Sequence, residues 1–348
     1  MRTGIVVPAE PGVERLAAQA EELGFSSFWV YDTPMLHGDP FIALGLCARV
    51  TERIKLGVGV TSPALRSVPA AANAFASLNA LAPGRVICGV GTGNTARRTL
   101  GMLPTTMAEL EAFTRSVQDL CTGRATEYRE GDRSRSVKFL HVGPYVDTTS
   151  PIEFVVAAFG LKASAIAGRL GTGILSFGLL EPAAWQAFQN ARREAAQEAG
   201  RPLDVPSYVM TSMHVLERGA DRHGDAARDA MGHIALSLLT FAADNPSFAE
   251  GLTSEEKRAS QELLRRRGTT STTSDRHRVL YRNYLGRIAP EERDLVLPSL
   301  IDKLGLVGTP DELAARIDEL EKAGVDELVI QPVVDPGSEM VAFAKLVL

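Results

Sequence analysis

Aromatic residues are scarce in this chain: two Trp, six Tyr and thirteen Phe among 348 residues. That is too few to read a ring-stacking platform from the sequence, and Phe25, Trp29, Phe159, Phe177 and Trp185 suit a core as well as a pocket. Cysteine is rarer still. Cys47, Cys88 and Cys121 are odd in number and irregularly spaced, which fits reduced, buried thiols rather than a disulfide framework or a zinc site. Excess charge of either sign is also missing. A net charge of -5 argues against a nucleic-acid partner, which favours a basic face. No apolar run approaches the length that crosses a bilayer, so no membrane partner is expected. The opening MRTGIVVPAE lacks the apolar stretch of an export signal, so a cytoplasmic location is expected. A GxGxxG opening a first βαβ unit, a GxxxxGK[ST] loop, an HExxH pair and a GxSxG elbow are all absent. No convergent ligand set suggests a metal.

What is present is a 45% hydrophobic composition arranged in a regular alternation of strand and helix. Residues 3–7 form a short β-branched run ended by Pro8. Residues 13–23 place Val13, Leu16, Ala17, Ala20 and Leu23 on one helical face, and Gly24 stops the helix. A second strand covers 27–31. The same unit recurs near the other end: a helix to Lys322, a stop at Gly324 and a strand over 327–331. Further strands are expected over 54–60, 85–90, 151–157, 172–177 and 207–215, which makes eight. Repetition of helix, glycine stop and buried strand predicts a closed α/β barrel, the (β/α)8 TIM barrel. Residues 1–348 are expected to form one elaborated domain. Residues 126–141 predict a hairpin turning at Gly131 and Asp132, with a solvated, charged tip. Residues 216–305 are different in kind. They read as a helical insertion after the seventh strand, with helices over 226–241, 254–267 and 290–304 and a polar stretch over 268–277. A substrate lid, an oligomer surface and a purely structural excursion all suit it.

The most informative run is 54–101. It reads as strand, helix and strand, with a first strand ending GVGVTSP, an Arg at position 66, then APGR, a strand ending GVGTGN and a following RRTLG. This pattern resembles the luciferase-like superfamily of flavin and deazaflavin oxidoreductases, and within it the methylenetetrahydromethanopterin reductase-like branch. The opening TGIVVPAEPGVERLAAQAEELGFSSFWVYD and the closing VGTPDELAARIDELEKAGVDELVI extend the resemblance.

In such a barrel the site lies at the C-terminal ends of the strands. The resemblance implies that Asp32 bonds or relays a proton to a bound ring, although an Asp there also suits a loop cap. Related deazaflavin enzymes often carry His where this chain has Thr33. His37 can supply the imidazole from the same loop, or simply be a partly exposed loop residue. After the third strand the resemblance implies a cis peptide at Gly59–Val60 or Val60–Thr61, with Val60 and Thr61 against the ring. Arg66 is expected to orient an anionic group, with a surface charge as the alternative. Gly91, Thr92, Gly93 and Asn94 are expected along the ring's polar edge, where Asn94 stands in for an acidic residue. Ala158, Gly160, Leu161 and Lys162 are expected to form a phosphate site at a helix start, and Ser176 to lie near the rim.

The resemblance implies an oxidoreductase that moves a hydride between coenzyme F420 and a small organic substrate. The alternatives are a monooxygenase using reduced FMN and O2, and a non-catalytic flavin-binding barrel. A separate flavin or F420 reductase would supply the reduced cofactor. A homodimer is expected from the resemblance.

Overall fold

The computed structural model describes residues 1–268 and 275–348. Its strands are β1 (Arg2–Val7), β2 (Ser27–Val30), β3 (Lys55–Thr61), β4 (Val86–Val90), β5 (Thr126–Glu130), β6 (Arg133–Val137), β7 (Glu153–Ala157), β8 (Gly173–Phe177), β9 (Tyr208–Val215), β10 (Gly305–Gly308) and β11 (Glu327–Ile330). Eight of them, β1, β2, β3, β4, β7, β8, β9 and β11, pair in parallel in that order, and β11 closes back onto β1. This is the TIM barrel that the repeated helix, stop and strand predicts. Gly24 and Gly324 cap their helices at φ 96°, a left-handed conformation that glycine adopts without steric cost. The pair β5 and β6 forms the expected antiparallel hairpin around Gly131 and Asp132. Cys47, Cys88 and Cys121 are free and buried.

Side chains alternate between two cores, as strand periodicity requires. Ile5, Phe28, Leu56, Cys88, Val156 and Ile174 point outward and pack under the helices. Val6, Trp29, Ile87, Val155, Tyr208 and Val329 point inward and fill the barrel. Gly57 leaves the space that Trp29 occupies, since a Cβ there would overlap the indole. Trp29 also meets the Tyr208 ring edge-on, with centroids 5.1 Å apart, a favourable geometry for two rings.

The N-terminal floor of the barrel is a polar plug whose outer charges reach solvent. Trp29 Nε1 donates to Ser27 Oγ at 2.6 Å, Ser27 donates to the Glu327 carboxylate, and Tyr208 donates to Glu153 at 2.7 Å. Lys55 pairs with Glu153, and Arg2 lies 3.5 Å from Glu327. Burial pushes the Glu327 carboxyl up to about 7, against the opposing bond from Ser27.

Two sequence expectations are corrected in the insertion. The helix expected over 290–304 is a 3-10 turn, Pro290–Leu295, followed by a separate helix, Pro298–Leu304. Pro298 lacks the N–H that would continue the first turn, and it suits the first position of the second. A ninth parallel strand, β10, then pairs with the upper half of β9, Gly305 opposite Ser212. The eight-strand reading lacked it. The helices Asp225–Asp244 and Ser254–Arg266 form as expected and share a core of Met231, Leu239, Leu263 and Ile301. Of the polar stretch 268–277, residues 269–274 lie outside the described residues, and a helix Arg276–Leu280 follows. A buried ion pair, Arg267 to Glu292 at 2.8 Å, braces the insertion; Arg267 also donates to Thr240 Oγ1 and the Leu280 carbonyl. Among the described residues no helix is long and apolar enough to cross a membrane.

Candidate active site at the barrel mouth

The loop after β2 brings together more chemistry than any other. Asp32 is buried, accepting from Thr61 Oγ1 at 2.7 Å and from Arg66 Nε at 3.3 Å. Arg66 continues to Asp39, donating at 2.6 Å, and rests over the Phe41 ring at 4.6 Å. Burial opposes ionisation of Asp39, but Arg66 beside it and the helix-start N–H groups of Phe41 and Ile42 hold its carboxyl below the ordinary value. The guanidinium is thus spent on two carboxylates and an aromatic face. In this arrangement it ties the loops after β2 and β3 together.

Thr33 and His37 form a pair. Thr33 Oγ1 lies 2.6 Å from His37 Nδ1, and the His37 ring tilts over Tyr31 with centroids 5.8 Å apart. Nε2 is left without a partner among the described residues. Burial lowers the pKa of the half-buried imidazole, so it stays neutral near pH 7.

The β3 and β4 loops interlock. The Gly59–Val60 peptide bond is cis, at one of the two positions the resemblance implies, and the β3–β4 pairing slips between Val58 and Thr61. Gly91 N–H donates to the Thr61 carbonyl at 2.9 Å. A Cβ on Gly91 would meet Val60 Cγ2 at 2.8 Å. This glycine therefore makes room for Val60, and Val60 faces the barrel interior. Gly93 sits at φ 73°, and a Cβ there would lie 2.5 Å from Ser62 Oγ. Glycine alone satisfies both demands. The Thr92 carbonyl accepts from Thr105 N–H and Oγ1 at 3.0 Å, closing the loop. Asn94 opens the short helix Asn94–Arg98, and its Oδ1 accepts from Arg98 Nε at 2.8 Å.

After β7, Gly160 begins the helix Leu161–Leu170 in an extended conformation, with open space where a Cβ would be. Leu161 and Lys162 are exposed at its first turn, and Lys162 makes no ion pair among the described residues. Free N–H groups and an unpaired cation suit a phosphate. Two expected neighbours do not contribute. Ala158 is fully buried in the outer core, and its N–H donates to the Leu175 carbonyl at 2.8 Å. Ser176 shares the outward side of β8 with Ile174, turned away from the mouth.

Strand alternation also exposes residues that the motif reading missed. Tyr31, two residues beyond Trp29, points inward at the mouth, 4% exposed, and its hydroxyl has no hydrogen bond. Across the mouth, His233 of the insertion helix reaches Ser212 on β9, with Nε2 2.9 Å from Oγ. Its Nδ1 and the neighbouring Gln331 Oε1 are buried without partners. Burial pushes the His233 pKa down to about 4. Buried polar atoms without partners cost free energy; those of Tyr31, His233 and Gln331 lie at this end of the barrel, while others, among them Thr3 at the start of β1 and Ser176 on β8, lie elsewhere. The described residues contain no group of three or more potential metal ligands.

The insertion covers this end of the barrel. Leu36, after β2, packs with Leu280, Tyr281 and Tyr284. Arg98, after β4, pairs with Asp244 at 2.8 Å. Arg287 donates to the Val333 carbonyl, after β11. By contrast, a groove of about 420 Å³ beside Gln186, Arg193, Lys322 and Asp326 borders the segment entering β11. It lies away from the strand ends where barrel chemistry takes place.

The model of the luciferase-like monooxygenase family matches residues 7–327. The chain belongs to the luciferase-like monooxygenase family. Within its reach, the chain is 26% identical over 345 residues to the 5,10-methylenetetrahydromethanopterin reductase of Methanolobus tindarius, covering 96% of this chain and 94% of that one. It is 29% identical over 237 residues to the F420-dependent glucose-6-phosphate dehydrogenase of Nakamurella multipartita, covering 64% and 68%. The fold matches the coenzyme F420-dependent tetrahydromethanopterin reductase of Methanopyrus kandleri with a TM-score of 0.70 at 21% identity, over 99% of this chain and 98% of that one.

Proposed function

We propose that this enzyme is an oxidoreductase that seats a flavin-type ring in the barrel mouth and moves a hydride between coenzyme F420 and a small organic substrate. The observation that carries the reading is the Thr33–His37 pair: a neutral imidazole, fixed through Nδ1, with Nε2 free at the mouth. The remaining groups fit the cofactor. Val60 and the Gly91–Asn94 loop face the ring, the orphaned Tyr31 hydroxyl gains a partner, and the Gly160–Lys162 turn receives a phosphate on the tail. When bound, the deazaflavin supplies the hydride donor or acceptor. His37 Nε2 then takes the proton from a substrate hydroxyl, or returns one to a carbonyl, as the hydride moves. Asp32 acts indirectly, since its carboxylate is committed to Thr61 and Arg66 and holds the loop in place.

A second reading, a monooxygenase using reduced FMN, is favoured by the insertion's contacts with the loops after β2, β4 and β11, which keep water from the mouth. It requires a separate enzyme that delivers reduced flavin. Titration of the purified chain with F420 and with FMN, in both redox states, separates the two. Saturable F420 binding with weak FMN binding, followed by anaerobic turnover, is expected. Preference for reduced FMN with oxygen consumption would replace hydride transfer by oxygenation. Binding without turnover of any alcohol or carbonyl substrate would leave a non-catalytic barrel.

The chain is also expected to pair with a second copy of itself. Ile42, Leu46 and Val50 are 71%, 49% and 48% exposed along one stripe of the helix Pro40–Val50, four residues apart. Such a stripe is costly in water. Sedimentation should show a dimer that Leu46→Asp converts to a monomer.

A further inference from the structure

The insertion and the loop after β4 are joined by one continuous chain of hydrogen bonds. Asp244 ends the insertion's longest helix. Its Oδ2 accepts from Arg98 Nη1 at 2.8 Å and from the Tyr281 hydroxyl at 2.9 Å, and its Oδ1 lies 3.4 Å from Arg276 Nη1. The Arg98 guanidinium rests over the Phe241 ring at 5.1 Å. Through Nε it donates at 2.8 Å to Asn94 Oδ1. A guanidinium offers only donors, so Asn94 must turn its carbonyl oxygen toward Arg98 and its NH2 group away.

We infer that Asp244 and Arg98 are positioning residues that fix Asn94 as a hydrogen-bond donor, so the β4 loop recognises an acceptor on the cofactor ring only while the insertion is docked. The inference rests on the mouth being the cofactor site. Two features make it more than a surface latch. Arg98 is mostly buried between the insertion and the loop, its side chain 11% exposed, so its geometry is held from both sides. The sequence around it also explains an oddity of the motif. An acidic residue at position 94 would pair directly with Arg98 and present only acceptors. Asn94 accepts from the same arginine and still presents a donor.

A double-mutant cycle on cofactor affinity tests this, using the full chain and whichever of F420 or FMN the unmodified protein binds. Arg98→Met and Asn94→Ala should each weaken binding about tenfold, and the double variant should be no weaker than either alone, because both remove the same oriented donor. Asp244→Asn should weaken binding by a smaller factor, acting through Arg98. Should Arg98→Met not fold, Arg98→Lys retains the charge facing Asp244 without the fork that reaches Asn94, and enters the same cycle. Multiplying effects, or an Arg98 variant that binds like the unmodified protein, would overturn the inference and leave the cofactor site intact. An unmodified protein that binds neither cofactor would overturn both.

Discussion

The floor and the mouth of this barrel are built from the same strands, yet they treat polar groups in opposite ways. At the floor, Ser27, Trp29, Tyr208 and Glu327 are buried, Glu153 is half-buried, and all five are hydrogen-bonded within the plug. At the mouth, Tyr31, His233 and Gln331 are equally buried, and each keeps a polar atom with no partner. Two residues along β2 separate the satisfied Trp29 from the unsatisfied Tyr31. Burial alone therefore does not mark a site. Inside the barrel the plug satisfies its polar groups, whereas Tyr31, His233 and Gln331 at the mouth stay open where a ligand completes the bonding.

The sharpest way to break this comparison is to remove the base at the mouth. His37→Ala should lower turnover by about 100-fold or more while leaving thermal unfolding nearly unchanged, since the ring is only half-buried. In the unmodified enzyme the acid limb of kcat/KM should fall below the ordinary histidine value, because burial lowers this pKa. A mutant that loses stability and activity together would place His37 in the scaffold.

The floor should answer to pH instead. The unfolded chain releases the Glu327 proton near 4.5, whereas the folded chain holds it to about 7. The folded state thus binds more protons in that window, and stability falls as pH rises through it, by an amount on the order of 3 kcal/mol. Glu327→Gln should flatten the slope without changing cofactor affinity, measured by denaturant unfolding across the window. A variant with the unmodified slope would show that the plug is not set by this carboxyl.

The smallest effect is expected at Tyr31. Removing a hydroxyl that has no partner should leave stability unchanged or raise it by up to about 1 kcal/mol, while weakening cofactor binding a few-fold. Tyr31→Phe that destabilises the free protein would mean that the hydroxyl is satisfied and that the contrast with the floor is false.

Much of the scaffold was legible because it rests on local rules. The glycine stops at Gly24 and Gly324, the turn at Gly131 and Asp132, and the β-branched runs each act within a few residues. β10 was not, because the four residues GLVG become a strand only where the upper half of β9 offers an edge. His37 and Asn94 were singled out from motif and position, but their hydrogen-bond partners were not. Arg66 is neutralised by Asp32 and Asp39 through a fold that brings the loops after β2 and β3 together. The outward placement of Ser176 and Ala158 was available in the sequence: Ser176 shares the outward side of β8 with Ile174, and Ala158, one residue past β7, continues the outward side of Val156. His233 and Ser212 lie 21 positions apart in the chain, and no spacing rule anticipates that contact.

Hydrogen–deuterium exchange with and without saturating cofactor tests the central claim most directly, because it reports where on the barrel the ring sits. The account predicts protection in residues 31–39, 59–66 and 91–98 and at the start of the helix Leu161–Leu170, with the floor strands unchanged. Protection confined to the outer groove around Gln186 and Lys322, with the mouth unaltered, would contradict it.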